Sequence, residues 1–166
     1  MAVKVTKPQV NVREKLTELE NPTPWTPPSF RADLSAIQTV SDASWETYEA
    51  NTVHWDTHST YDADTFTYVV PVSGIYMFLA TQWWSNKPEG RTISRINING
   101  SGAAYHYELS DGGGSWTHQS MHSLSAGDRV QIQVNQSSGA SQQLDPSDLN
   151  NGWSGVMVSG HNYGRG

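Results

Sequence analysis

Apolar and polar residues alternate through most of the chain after residue 29, and this period of two predicts β-strands. The clearest stretch runs from Tyr61 to Phe78. Within it, Phe66, Tyr68 and Val70 form one apolar face, and the sequence PVSG that follows is typical of a turn. The pattern therefore predicts two strands joined by a turn.

The second of these strands is apolar on both faces. It alternates two sets of side chains, with Ile75, Met77 and Leu79 on one face and Tyr76, Phe78 and Ala80 on the other. Neither face is suited to water. We therefore predict that one face packs in the core of a β-sandwich and that the other contacts a partner.

The same periodicity predicts ten short strands, at residues 30–34, 37–40, 51–55, 65–70, 75–82, 92–97, 104–109, 116–124, 129–135 and 153–159. Turn residues separate them. Asn99-Gly100 predicts a tight hairpin, and Ala126-Gly127-Asp128 predicts a turn before the alternating run that follows. With no helix expected after residue 29, the fold class is an all-β sandwich.

The composition of the chain changes at residues 21–28, where four prolines in eight residues favour a stiff, extended spacer. We therefore divide the chain into an N-terminal arm (1–20), the spacer (21–28) and a β domain (29–166). In the arm, Val12, Leu16 and Leu19 lie at i, i+4 and i+7, which predicts a short helix with one apolar stripe. Such a short helix needs a surface to pack against, although a disordered terminus is the alternative.

Several motifs of the β domain, in this order, resemble the C1q-like jelly-roll family, which is related to tumour necrosis factor. They are Phe30-Arg31-Ala32, Tyr61-Asp62 with Phe66, Gly74-Ile75-Tyr76-Met77-Phe78, Ala126-Gly127-Asp128 after Leu124, and Trp153-Ser154-Gly155-Val156, over roughly residues 29–158. The resemblance implies a jelly-roll β-sandwich that assembles as a homotrimer. We predict that Tyr76 and Phe78 supply the apolar face at the trimer interface.

The arm sequence KVTKPQVNVREKLTELE resembles the leading segments of virion appendage proteins of tailed bacteriophages, notably those that infect marine bacteria. This resemblance implies an arm that docks on the capsid or tail while a trimeric β domain projects outward. Val12, Leu16 and Leu19 are then the predicted virion-docking residues. The expected location is the virion, as a capsid fibre, a capsid decoration or a tail fibre.

Composition argues against several classes of partner. The 166 residues carry a net charge of −6, contain no cysteine and have no lysine after Lys87, which argues against nucleic-acid binding. No stretch of 18 apolar residues predicts a membrane span, and the N-terminus lacks the apolar region of a signal peptide. We therefore expect a protein that contacts neither nucleic acid nor membrane and is not exported.

Candidate metal ligands and catalytic groups show no convincing pattern. The pairs His54/His58 and His118/His122 are spaced by four, which on a strand places them about 13 Å apart, too far to share one ion. A ring of three histidines around a trimer axis is an alternative metal site, and ordinary surface or stacking histidines are the favoured interpretation. We expect no cofactor, with calcium held by loop aspartates as an alternative, at Asp62, Asp64, Asp111, Asp145 and Asp148. Gly152-Trp153-Ser154-Gly155 is not a nucleophile elbow, so catalysis is not expected.

Seven tryptophans exceed what one sandwich core needs. Trp83 and Trp84 lie on opposite faces of one strand, so one can pack in the core and the other at the trimer interface or on a ligand. Trp45 and Trp116 are candidates to stack on a sugar ring of a host glycan, although packing in the core or at an interface is the favoured alternative. The sequence thus favours a structural virion protein, a homotrimeric knob that contacts the host surface. The alternatives are a free-standing C1q-like module that binds glycan or protein, and a hydrolase of host polysaccharide.

Overall fold

The structure, a computed structural model, describes residues 25–85, 90–110, 114–146 and 151–160. These ranges contain β-strands and turns and no helix, so the all-β prediction is confirmed. The strands are β1 (Ser29–Leu34), β2 (Gln38–Val40), β3 (Glu46–Thr47), β4 (Ala50–Asp56), β5 (Tyr61–Asp62), β6 (Thr67–Val69), β7 (Gly74–Trp83), β8 (Gly90–Ile98), β9 (Ser101–Ser110), β10 (Ser115–Leu124), β11 (Arg129–Ser137), β12 (Gln142–Leu144) and β13 (Gly152–Gly160). The helix predicted in the arm lies outside the described residues.

Two antiparallel sheets form a jelly-roll sandwich, as predicted. Sheet 1 has five strands in the order β10-β7-β13-β1-β4, and sheet 2 has six, with β5-β6-β11-β8-β9 in a row and β3 also paired with β11. Strands β12 and β2 pair with each other in a third, two-stranded sheet. Neighbours in each sheet are mostly distant in sequence, which is the crossing pattern that separates a jelly roll from a simple meander.

Aromatic rings fill the centre of the sandwich. Phe30 stacks on Tyr68 with ring centroids 4.3 Å apart and meets the edge of Trp153 at 4.6 Å. Gly155 pairs with Phe30 on one side and Phe78 on the other, and a Cβ at Gly155 would lie within 2.7 Å of both rings. The glycine of the Trp153-Ser154-Gly155-Val156 motif is therefore required by ring packing.

Tyr76 and Phe78 lie in this core and not at a surface. Both are fully buried within the single chain, and Tyr76 donates its hydroxyl hydrogen bond to the carbonyl of Val72 at 2.7 Å. The prediction that these two rings supply a trimer interface therefore needs correction, because neither has surface left for a partner. The gap beside Gly155 admits the Phe78 ring, which turns the opposite face of β7 outward.

Two of the turns predicted from the sequence are confirmed, and a third turn shortens one of the predicted strands. Asn99 and Gly100 have φ values of 53° and 85°, as a type I′ hairpin requires, and Gly127 turns with a φ of 93°. Phe66 has a φ of 55° and lies in a turn, so the strand predicted at 65–70 is confined to Thr67–Val69. The short strands β3, β5 and β12 have no counterpart among the ten predicted.

Candidate interaction surfaces

The outward face of sheet 1 is apolar at its centre. Met121, Met77 and Val156 lie side by side on β10, β7 and β13, and Leu79 is the next outward residue along β7. Met77 is 38% exposed, Leu79 39% and Met121 61%. Large side chains thus remain in solvent on three adjacent strands, which is unusual for a surface without a partner.

A polar network borders this apolar surface on the β1 and β4 side. Asp33 accepts hydrogen bonds from Arg31 Nε at 3.1 Å and from His54 Nε2 at 2.6 Å. Trp55, half exposed, pairs with Arg31 and lines a groove of about 340 Å³ together with Met77 and Leu79. An apolar centre with a hydrogen-bonded polar rim is the usual anatomy of a protein interface.

The outward face of sheet 2 carries a different surface, which we call the aromatic–arginine surface and define as Trp45, Arg91, Arg95, Tyr105 and Tyr107. The Arg95 guanidinium lies 4.0 Å from the centroid of the Trp45 ring, and Trp45 meets Tyr105 edge-on at 6.1 Å. Tyr105 and Tyr107 stack with their planes 18° apart, and Arg91 lies 5.7 Å from the Tyr107 ring. Both tyrosines are exposed.

A histidine layer lies between the two sheets. The His118 ring stacks on His106 with centroids 5.9 Å apart, and its Nδ1 lies 2.9 Å from the hydroxyl of Ser94. Burial, together with the charges of His106 and His122, lowers the pKa of His118 to about 4. Because Ser94 and His118 are both buried, this serine hydroxyl is not accessible to a substrate.

The family model of the C1q domain matches residues 29–158, the same span that the sequence resemblance indicates. The chain belongs to the C1q domain family. Solved structures agree at the level of the fold. The globular domain of zebrafish complement 1qA protein is 15% identical with a TM-score of 0.57, and the alignment covers 79% of this chain and 97% of that one.

Two further solved structures are tumour necrosis factor relatives. Eiger TNF from S. frugiperda is 14% identical with a TM-score of 0.59, covering 85% of this chain and 97% of that one. Murine APRIL at pH 5.0 is 12% identical with a TM-score of 0.59, covering 80% of this chain and all of that one. No curated protein sequence matches the chain. At these identities the structural likeness shows the fold of this C1q domain and nothing finer.

The predicted virion-docking residues Val12, Leu16 and Leu19 lie outside the described residues. The described residues contain no group of three or more His, Cys, Asp or Glu side chains arranged to hold a metal ion. Asp62, one of the calcium candidates, accepts hydrogen bonds from the backbone N–H groups of Asp64 and Thr65, so it acts as a turn former. The described part of the chain also has no helix long and apolar enough to cross a membrane.

The remaining candidates divide between core and surface. Trp84 is buried, while Trp83 on the opposite face is partly exposed, so the prediction that the two rings take opposite faces is confirmed. Trp45 lies on the aromatic–arginine surface, but Trp116 packs against the core. Sequence reasoning missed Arg91 and Arg95. Their tyrosine partners lie across the Asn99-Gly100 hairpin, and that pairing depends on a bulge with no sequence signal. The remaining partner of Arg95, Trp45, is distant from it in sequence.

Proposed function

We propose that this C1q domain is the homotrimeric knob of a bacteriophage virion, a capsid fibre, capsid decoration or tail fibre whose role is binding and not catalysis. The observation that carries the trimer is the exposed apolar face of sheet 1, centred on Met77, Leu79 and Met121. Three copies arranged around one axis would cover that face with a closed, heterologous interface. The arm resemblance supports the virion role.

The trimer is tested by the solution mass of the full chain. We expect light scattering to give three times the chain mass of 18.3 kDa. A Leu79→Asp and Met121→Asp double variant should give a single chain mass, because two buried carboxylates in an apolar interface are costly. Leu109→Asp is the matched control, since Leu109 is 80% exposed but lies in sheet 2. A monomeric wild-type protein would refute the trimer.

Attachment to the virion is tested separately, in the arm. We expect Leu16→Asp with Leu19→Asp to leave the β domain trimeric and to abolish co-sedimentation with phage particles that lack their own copy. Thr17→Asp lies between the two leucines in sequence but outside the predicted apolar stripe, so it should still bind. Undiminished binding of the double variant would remove the docking assignment.

A free-standing C1q recognition module is the second candidate, and the aromatic–arginine surface favours it because that surface offers exposed rings and cations to a ligand. Deletion of residues 1–28 distinguishes the two functions. A recognition module should keep its ligand binding after the deletion, whereas a virion component should no longer join particles. Release of reducing ends from host polysaccharide would instead support a hydrolase, and we expect none.

A further inference from the structure

A β-bulge sets the direction of the tyrosines on β9. Beside the Asn99-Gly100 turn, Ile98 pairs with Ser101 and Asn97 with Gly102, but Ile96 pairs with Ala104. Ala103 is thus an extra residue on β9. Because side chains alternate along a strand, one extra residue reverses the face of every side chain beyond it.

The bulge reverses which side chains of β9 face the core and which face solvent. Without it, Tyr105 and Tyr107 would face the core while His106 and Glu108 faced solvent, which is what their polarity favours. In the structure both tyrosines face outward, and Nε2 of His106 is buried. Bulges that re-aim side chains occur next to functional sites, so the exposed tyrosines require an explanation beyond folding.

The two arginines of this surface have different roles. Arg95 donates from Nε to Oε1 of Gln133 at 2.8 Å and from a terminal nitrogen to the Tyr105 hydroxyl at 3.4 Å, and it also stacks on Trp45. Arg95 therefore positions the two aromatic rings. Arg91 is exposed, and its guanidinium donates no hydrogen bond to any other described residue, so its donors remain available to a ligand.

The charge of this surface indicates that the ligand is negatively charged. The whole chain has a net charge of −6, yet three of the four lysine or arginine side chains in the described residues, Arg91, Arg95 and Arg129, lie in β8 and β11 of sheet 2. Neither Arg91 nor Arg95 forms an ion pair with a carboxylate of the described part of the chain. An unpaired guanidinium fork favours an anionic ligand group such as a carboxylate or a phosphate, which it binds through two parallel hydrogen bonds.

We propose that the aromatic–arginine surface binds a polysaccharide that carries carboxylate groups. The exposed rings of Tyr105 and Tyr107 contact successive sugar rings, and Arg91 binds the carboxylate of one of them. This inference deepens the host-contact part of the proposed function and rests on it for its biological meaning. A single-stranded nucleic acid also combines rings with negative charge, but two arginines on an acidic protein provide few phosphate contacts.

The test measures binding of short oligosaccharides to the purified full chain by titration calorimetry. The probes are oligomers of galacturonate, of hyaluronate and of alginate, together with methyl-esterified oligogalacturonate and an oligothymidylate of matched length. We expect at least one of the carboxylate saccharides to bind. The methyl ester keeps the rings and removes the charge, so for oligogalacturonate we expect esterification to weaken binding about tenfold or more.

Three variants assign the binding to this surface. Arg91→Ala and Tyr107→Ala should each weaken binding about tenfold, since each removes one contact from the ligand. Arg129→Ala is the matched control, because it removes the same charge from the same sheet and should change affinity less than twofold. Arg129 lies about 26 Å along β11 from Ser137, the residue that pairs with Arg91. Arg91 is exposed, so its variant remains informative even if Tyr107→Ala unfolds.

Each outcome decides the inference. Failure of all three carboxylate saccharides to bind the wild-type protein overturns it, as does equal weakening by Arg129→Ala. Binding of oligothymidylate without binding of any saccharide assigns the surface to nucleic acid instead. Because short oligosaccharides occupy one site on one chain, these results do not depend on trimer formation or on attachment to a particle.

Discussion

Replacing Gly155 by alanine tests the packing argument on which the whole sandwich depends. A Cβ at this position would lie 2.6 Å from Cε1 of Phe30 and 2.7 Å from Cε1 of Phe78. Carbon atoms pack at about 3.5 to 4.0 Å, so two rings must each move by about 1 Å. Neither ring has free space, because Phe30 also stacks on Tyr68 and Phe78 is fully buried.

The expected cost follows from overpacking in a dense core. Inserting one carbon into a well-packed interior costs about 1 to 3 kcal/mol, and a clash on both sides places Gly155→Ala near the top of that range. A domain of this size loses about 2 to 4 °C in its unfolding midpoint per kcal/mol. We therefore expect the midpoint of Gly155→Ala to fall by about 6 to 12 °C, measured by circular dichroism.

Two control glycines separate lack of space from backbone strain. Gly114 has its nearest neighbour 3.7 Å from a built Cβ and no positive φ, so Gly114→Ala should stay within about 2 °C of wild type. Gly139 has open space but a φ of 83°, so its alanine variant should cost only about 1 kcal/mol. A Gly155→Ala midpoint within 2 °C of wild type would refute the packing argument, and equal losses at Gly155 and Gly139 would assign the effect to the backbone.

Three further predictions concern polar groups that are buried or partly buried. Because the pKa of His118 is about 4 in the folded state and 6.5 is its ordinary value, only the unfolded chain gains this proton between those pH values. Stability should therefore fall as pH drops from about 6.5 to 4, by at most about 3 kcal/mol, and denaturant titrations should show a flatter pH dependence for His118→Gln. Tyr61→Phe removes a hydroxyl that donates to a backbone carbonyl at 2.6 Å and accepts from the buried Trp153 indole at 3.1 Å, so urea unfolding should show a loss of about 1 to 3 kcal/mol. Asp56→Ala removes the acceptor for three backbone N–H groups, two in the loop after β4 and one at the start of β5. We expect a similar loss of stability together with faster amide exchange at these positions, and unchanged exchange would contradict this role.

Short-range chemistry explains which parts of the fold could be predicted. The Asn99-Gly100 pair requires positive φ at both positions, which few residues adopt, so the hairpin between β8 and β9 follows from two residues. Alternating runs located all ten predicted strands, and most of these strands have one buried face, although β4 is exposed over nearly its whole length. The strands that escaped prediction, β3, β5 and β12, have two or three residues each and are too short for any period to show.

Assignments that depend on long-range packing could not be predicted. Both faces of β7 are apolar, so alternation alone does not say which face is buried, and Tyr76 and Phe78 were placed on the wrong one. The choice depends on Gly155, which lies in the last strand and leaves room for a ring on that side only. The outward direction of Tyr105 likewise depends on the bulge at Ala103, which no turn residue or period marks.

The two proposed surfaces lie on opposite sheets, and this separation makes assembly and recognition independently testable. If sheet 1 faces the axis of a trimer, the three aromatic–arginine surfaces point away from it and bind a polymer through several sites at once. Leu79→Asp with Met121→Asp should then weaken binding to a long polysaccharide while leaving the affinity for a short oligosaccharide unchanged. Arg91→Ala should weaken both. The opposite result, in which the sheet 1 variant lowers affinity for the short oligosaccharide, would show that the ligand site spans two chains.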